Sequence, residues 1–130
     1  MRRKHHLAAL QLAIMQVLWD RTEATVAEVR EALAPSRPLA HTTVATMLTK
    51  MERNGQVAHR NEGRVHVYRP VLRREAVGRS MVGDLASRLF CGDLEQMVSH
   101  LLDTREITTE ELSRLKELIR RKEREVRDGK

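Results

Sequence analysis

AHTTVATMLTKMERNGQVAHRNEGRVHVYRP, residues 40–70, changes its apolar period half-way along. In the first part Val44, Met47, Leu48 and Met51 fall at i, i+3, i+4 and i+7, the spacing of one buried stripe on an α-helix. In the second part QVAHR and RVHVYR flank NEG, where Gly63 is free to take a positive φ, and Val65 and Val67 alternate with polar residues as on a strand with one face inward. Asn54 and Gly55 between them suit a left-handed helix end. The stretch therefore reads as a helix starting near Ala40, followed at once by a β-hairpin.

The face of this helix opposite its apolar stripe is unusual. At roughly 100° per residue, Thr42, Thr46, Thr49 and Arg53 lie opposite the stripe, with Thr43 and Lys50 on its flank. β-Branched threonines are mediocre helix formers, so propensity does not account for four of them. They are small enough to let a helix enter a nucleic-acid groove, where hydroxyls bond to bases or phosphates and methyls touch thymine. The plainer alternative is a solvated polar face. Arg60 and Arg64 bracket the hairpin tip, with Arg69 behind them.

Working outward toward the N-terminus, Leu7, Leu10, Ile14, Val17 and Leu18 define one face of a helix that ends near Trp19, with a turn at Asp20 and Arg21. Thr25 and Glu28 in TVAE form a capping box for a second helix whose inner face is Val26, Val29 and Leu33. Pro35 and Pro38 stop it, making APSRP a turn. Three helices and a hairpin with a cationic tip are the layout of a winged helix-turn-helix, within a mainly α protein. In that layout the third helix enters the major groove and the wing lies along phosphates or the adjoining minor groove. This domain is expected over residues 1–72.

Residues 73–130 offer three further helices with apolar stripes: Val77, Met81, Leu85 and Leu89; then Leu94, Met97, Val98, Leu101 and Leu102 behind an N-cap at Asp93; then Leu115, Leu118 and Ile119 behind a capping box at Thr108 to Glu111. Short amphipathic helices bury little alone. A two-fold dimer supplies the missing surface and pairs two recognition helices with a palindrome; intramolecular packing in a monomer is the alternative. The tail RRKEREVRDGK reads as a fraying, solvated helix end.

Charge distribution points the same way. Residues 1–74 hold 13 Lys/Arg and 6 Asp/Glu, net +7, whereas residues 75–130 hold 11 and 12, net −1. A basic first half with a balanced second half fits a polyanion-binding module joined to a partner-binding one. No run approaches the roughly 20 apolar residues of a membrane span, and MRRKHH is not followed by a signal-peptide pattern, so a cytoplasmic protein without membrane insertion is expected. The one cysteine, Cys91, rules out an internal disulfide or a CxxC zinc cluster and is expected to be a small buried hydrophobe. The chain lacks GxSxG, P-loop and HExxH motifs, so no catalytic residues and no cofactor are expected. A winged helix serving only protein interaction is the rival reading, which the basic first half does not favour. A metal-responsive regulator is a second rival, since His59 and His66 can meet across the hairpin and His5 and His6 are adjacent.

LAIMQVLWDRTEATVAEVREAL, LAHTTVATMLTKMERNGQVAHR and NEGRVHVYRP, and more weakly MVGDLASRLFCGDLEQMVSHLLD and ITTEELSRLKELI, resemble the penicillinase repressor family (BlaI, MecI and CopY type) of bacterial winged-helix regulators, over about residues 7–120. The resemblance implies a homodimeric repressor that occupies an inverted-repeat operator and blocks polymerase. It puts Thr42, Thr43 and Thr46 at the recognition-helix contact positions, with Lys50, Arg53, Arg60 and Arg64 available for phosphates. His41 stands where family members often have Tyr or Pro. The paired C-terminal cysteines of copper-responsive members are absent. In the β-lactam-responsive branch a membrane-bound metalloprotease sensor triggers cleavage at an Asn-Phe pair, and His100-Leu101 occupies the matching place as a candidate induction site.

Overall fold

The computed structural model describes residues 7–129. In chain order its elements are α1 (Ala9–Arg21), β1 (Ala24–Thr25), α2 (Val26–Leu33), α3 (His41–Arg53), β2 (Val57–Glu62), β3 (Val65–Pro70), α4 (Arg74–Arg88), α5 (Leu94–Asp103) and α6 (Thr109–Asp128). Two compact units share them, Met1–Asp84 and Leu85–Lys130. The first is a winged helix with a three-stranded antiparallel sheet in the order β1-β3-β2.

α1 packs against α2, β1 and β3. Being covered on more than one side, it buries Met15 as completely as Ile14 and Leu18, a wider inward face than the expected stripe. It also runs past Trp19 to Arg21, where Thr22 turns the chain at φ 75° with its N–H donating to the Leu18 carbonyl. β1 is an element the apolar pattern does not reveal, because two residues show no alternation. Thr25 serves it twice, pairing with Val67 as a strand residue and capping α2, where its Oγ1 accepts from the Glu28 N–H at 3.1 Å while Glu28 Oε1 accepts from the Thr25 N–H at 2.8 Å. The turn after α2 is closed by the Ser36 and Arg37 N–H groups on the Leu33 carbonyl, and Arg30 Nε donates to the Leu39 carbonyl at 2.8 Å. That bond anchors the approach to α3.

α3 buries Val44, Leu48 and Met51 completely, and it ends as expected at Asn54 and Gly55, the glycine taking φ +78°. The hairpin that follows is tighter than the expected NEG loop. Asn61 and Glu62 remain in β2, Glu62 faces Val65, and only Gly63 and Arg64 turn, with Gly63 at φ +64° in the first central position as in a type II′ turn. Val67 and Tyr68 are buried, whereas Val65, expected to point inward with Val67, is 49% exposed. It lies beside the tip, beyond the reach of the core.

The expected domain boundary at 72/73 precedes α4, yet the first turns of α4 belong with the winged helix. Trp19 Nε1 donates to the Leu72 carbonyl at 2.9 Å, Arg74 pairs with Asp20 at 2.9 Å, and the Arg74 guanidinium lies 5.3 Å from the Trp19 ring centroid. The units divide inside α4, after Asp84.

In the second unit Asp93 caps α5 through the Gln96 N–H, and Thr108 and Glu111 form the expected capping box on α6. Cys91 is exposed, not buried: it stands at φ 51° beside Gly92 at φ 80°, in a surface turn between α4 and α5 that points its side chain away from any core. The expected fraying tail is helical as far as Asp128, with Arg120–Glu117 and Lys122–Glu125 pairs at i, i+3. The helices cover little of one another's apolar surface. Met97 is buried, but Leu94, Leu101, Leu118 and Ile119 expose half or more of theirs.

The capping boxes give a stability prediction with a definite sign. The Thr25 backbone N–H holds the Glu28 carboxyl below the usual glutamate range, and the Thr108 N–H, aided by Arg105, does the same for Glu111. A depressed carboxyl stabilises the fold at neutral pH, and the contribution is lost as pH falls through its folded value. Glu28→Ala, which removes that carboxylate, is expected to destabilise the fold at pH 7. In denaturant titrations the deficit should shrink below the ordinary glutamate range, as the wild type loses the same interaction.

Candidate nucleic-acid interface

The buried stripe of α3 determines what its other side shows. With Val44, Leu48 and Met51 against the core, His41, Thr42, Thr43, Thr46, Thr49, Lys50 and Arg53 are all exposed, as the helical spacing requires. The three candidate threonines have no side-chain hydrogen-bond partner among the described residues. Thr49 differs, since its hydroxyl donates to the Ala45 carbonyl at 3.0 Å. No acidic residue occupies the first turn of α3 and no side chain caps it, so the positive end of its dipole is not offset by a side chain of its own first turn. Lys50 and Arg53 take part in none of the ion pairs among the described residues. The face is therefore small, hydroxylated and positive.

The two wing arginines are placed differently. Arg64 occupies the turn itself, exposed and outside those ion pairs. Arg60, grouped with it by sequence, is held by carboxylates on either side: Nη2 to Glu23 at 2.9 Å and Nη1 to Glu62 at 2.9 Å. These bonds push its pKa above the usual arginine value, first through Glu23 and then Glu62. Arg60 thus ties β2 to the segment entering β1, and its charge is locally neutralised. Glu23 lies 37 residues away, too far for pattern to reveal, and Glu62 falls in the stretch expected to be loop, where an i, i+2 strand pairing is not anticipated. The other missed pairing is Glu52 with His59, which joins α3 to β2 at 2.7 Å.

Among the described residues no group of three or more His, Cys, Asp or Glu side chains is arranged to hold a metal ion. His59 and His66 do meet across the hairpin, as ring faces stacked 4.1 Å apart, which does not aim two nitrogens at one point. His5 and His6 lie outside the described residues. In α5 the His100 ring packs edge-on against Phe90 at 5.2 Å, and Leu101 is exposed in the same helix. No helix among the described residues is long and apolar enough to cross a membrane.

A sequence profile described as penicillinase repressor matches residues 7–121. The chain belongs to the penicillinase repressor family. It is 38% identical over 99 residues to the transcriptional regulator BlaI of Mycobacterium tuberculosis, covering 75% of this chain and 72% of that protein. It is 25% identical over 119 residues to the penicillinase repressor of Bacillus licheniformis, covering 92% and 93%. A solution structure of the DNA-binding domain of the repressor BlaI superposes with a TM-score of 0.50 at 28% identity, over 58% of this chain and 93% of that one. A MarR family protein from Bacillus stearothermophilus, at 22% identity and TM-score 0.50, shares the fold over 95% of this chain and 78% of its own. The protein is a transcriptional repressor of this family, with its winged-helix fold.

Because the outward face of α3 is set by what the helix buries, its core side is a sensitive point. Leu48→Ala opens a cavity under a fully buried position and should cost about 2–5 kcal/mol. Thr46→Ala on the opposite face should change stability by less than about 0.5 kcal/mol. Chemical denaturation of both variants checks the contrast.

Proposed function

We propose that this repressor binds an inverted-repeat operator as a homodimer in the cytoplasm, with α3 of each copy in the major groove and each wing on adjacent phosphates, excluding polymerase from the promoter. Its main support is the uncovered row of Thr42, Thr43, Thr46, Lys50 and Arg53, free of carboxylates and seated on a buried stripe. Thr42, Thr43 and Thr46 read bases, with His41 beside them at the helix start; Lys50, Arg53 and Arg64 meet phosphates. Arg60 can join them only by giving up Glu23 or Glu62, so it contributes less than Arg64. The similarity to a repressor DNA-binding domain over 93% of that domain supports the same reading.

The dimer rests on the second unit. Leu94, Leu101, Leu118 and Ile119 are half or more exposed, a large apolar surface for helices of this size. A second copy covers it and sets two recognition helices on half-sites about one or two helical turns apart. Induction by a membrane-bound metalloprotease sensor in response to β-lactams or cell-wall stress belongs to the same proposal, with His100-Leu101 the candidate bond; because it is not an Asn-Phe pair, cutting there requires a protease of another preference, and otherwise the site lies elsewhere. The exposure of Leu101 favours access, while its place in α5 requires the last helical turn to open first.

Three variants separate the parts. Arg64→Ala should weaken binding to all duplexes alike and lower the salt slope by about one. Thr46→Ala should keep the salt slope and alter base preference in competition between duplexes; unchanged preference removes Thr46 from base readout. Leu118→Asp should give monomers in sedimentation and lose affinity for a full inverted repeat while keeping that for a half-site. A dimer that survives this change places the interface elsewhere.

A further inference from the structure

The wing extends farther than the scaffold that supports it. β1 pairs with β3 only at Tyr68 and Val67, so the ribbon beyond Val67 is two strands wide. Arg64 stands three residues past Val67, about 10 Å farther out at 3.3 Å per residue. A two-stranded ribbon is at best marginal without other support. Any tilt at its root is carried to Arg64 at its end.

Two side-chain ties oppose such a tilt, one on each face. Residues directly opposed in an antiparallel pair share a face, so His59 with Tyr68 and Asn61 with His66 lie on one side of the ribbon, and Arg60 lies on the other. The Arg60 side is tied to Glu23. On the histidine side the His66 ring lies flat on that of His59, centroids 4.1 Å apart and planes 11° from parallel, with Tyr68 tilted beneath both at 5.5 and 6.2 Å. His59 is itself fixed, its Nδ1 lying 2.7 and 2.9 Å from the two carboxylate oxygens of Glu52 and its backbone N–H donating to one of them at 3.3 Å. A carboxylate only accepts, so Nδ1 carries the hydrogen and the ring plane is set. Glu52 belongs to the last turn of α3, between Lys50 and Arg53. A continuous line of contacts therefore runs from the recognition helix through Glu52, His59 and His66 to the outer wing.

We propose that this line is a brace that fixes the angle between α3 and the wing, making Glu52 and His66 positioning residues for the phosphate contact of Arg64. The proposal rests on the DNA-binding reading above. His66 acts here by ring stacking, as a flat surface two rungs from the turn, and needs neither a metal nor a direct bond to DNA. Glu52 acts through His59 and touches no ligand.

The test uses the full chain on the duplex it binds most tightly, with affinity measured across a range of salt concentrations. His66→Ala and Glu52→Ala should each weaken binding about tenfold, the loss of one charged hydrogen bond, and lower the salt slope by about one. His66→Phe, which keeps a flat ring on His59, should restore both. In the Arg64→Ala background His66→Ala should have no further effect, because the contact it positions is already gone. His66 is exposed, so its replacement leaves the core intact, and thermal unfolding of each variant verifies this. Equal losses from His66→Ala with and without Arg64, or failure of His66→Phe to restore binding, overturn the brace. A wild-type chain that binds no duplex at all overturns the DNA-binding reading and the brace with it.

Discussion

Three side chains of α3, Val44, Leu48 and Met51, have no surface left exposed, and most of what this protein presents to its surroundings follows from that. Each contributes about 1.5–3 kcal/mol by burial, so rotating the helix about its axis would cost several kcal/mol for every option in which the stripe leaves the core. The rotational setting of α3 is thereby locked. Its polar side has to carry Thr42, Thr43, Thr46, Lys50 and Arg53 outward as a unit, and the helix can afford poor helix formers there because packing, not propensity, holds it in place.

The wing obeys a different constraint. It gains core support at its base, through Val57, Val67 and Tyr68, and beyond them backbone pairing must be supplemented by side-chain ties on both faces. Arg60 with Glu23 and the His66–His59–Glu52 stack supply these. The residues nearest the tip thus divide into those that hold the ribbon and one, Arg64, whose charge is left for a partner. The second unit shows the opposite situation: the Asp93 cap of α5 and the capping box and charge pairs of α6 secure those helices individually, while their apolar faces stay largely uncovered.

The parts of the fold legible in the sequence were those governed by period and capping. The α3 stripe, the box at Thr25 and Glu28, the cap at Asp93, the box at Thr108 and Glu111, and the glycine at the end of α3 are all local signals, and all are present in the structure. What escaped was set by tertiary neighbours. β1 is too short to carry a pattern; Met15 is buried because α1 has neighbours on several sides; Val65 is exposed because the core stops short of it; Cys91 is exposed because its turn is. Within the candidate site, helical spacing sufficed to pick out the polar face of α3. It could not distinguish Arg60 from Arg64, since the carboxylate that separates them, Glu23, is 37 residues away in the chain.

In the proposed complex, one α3 face and one wing from each of two copies read a two-fold symmetric DNA sequence. Selection of bound duplexes from a random-sequence library by the full chain, at near-physiological salt where weak phosphate binding is suppressed, tests it most directly. The expected product is an inverted repeat whose half-sites are separated by about one or two helical turns. Recovery of duplexes with no common sequence, or of none above background, would contradict that reading.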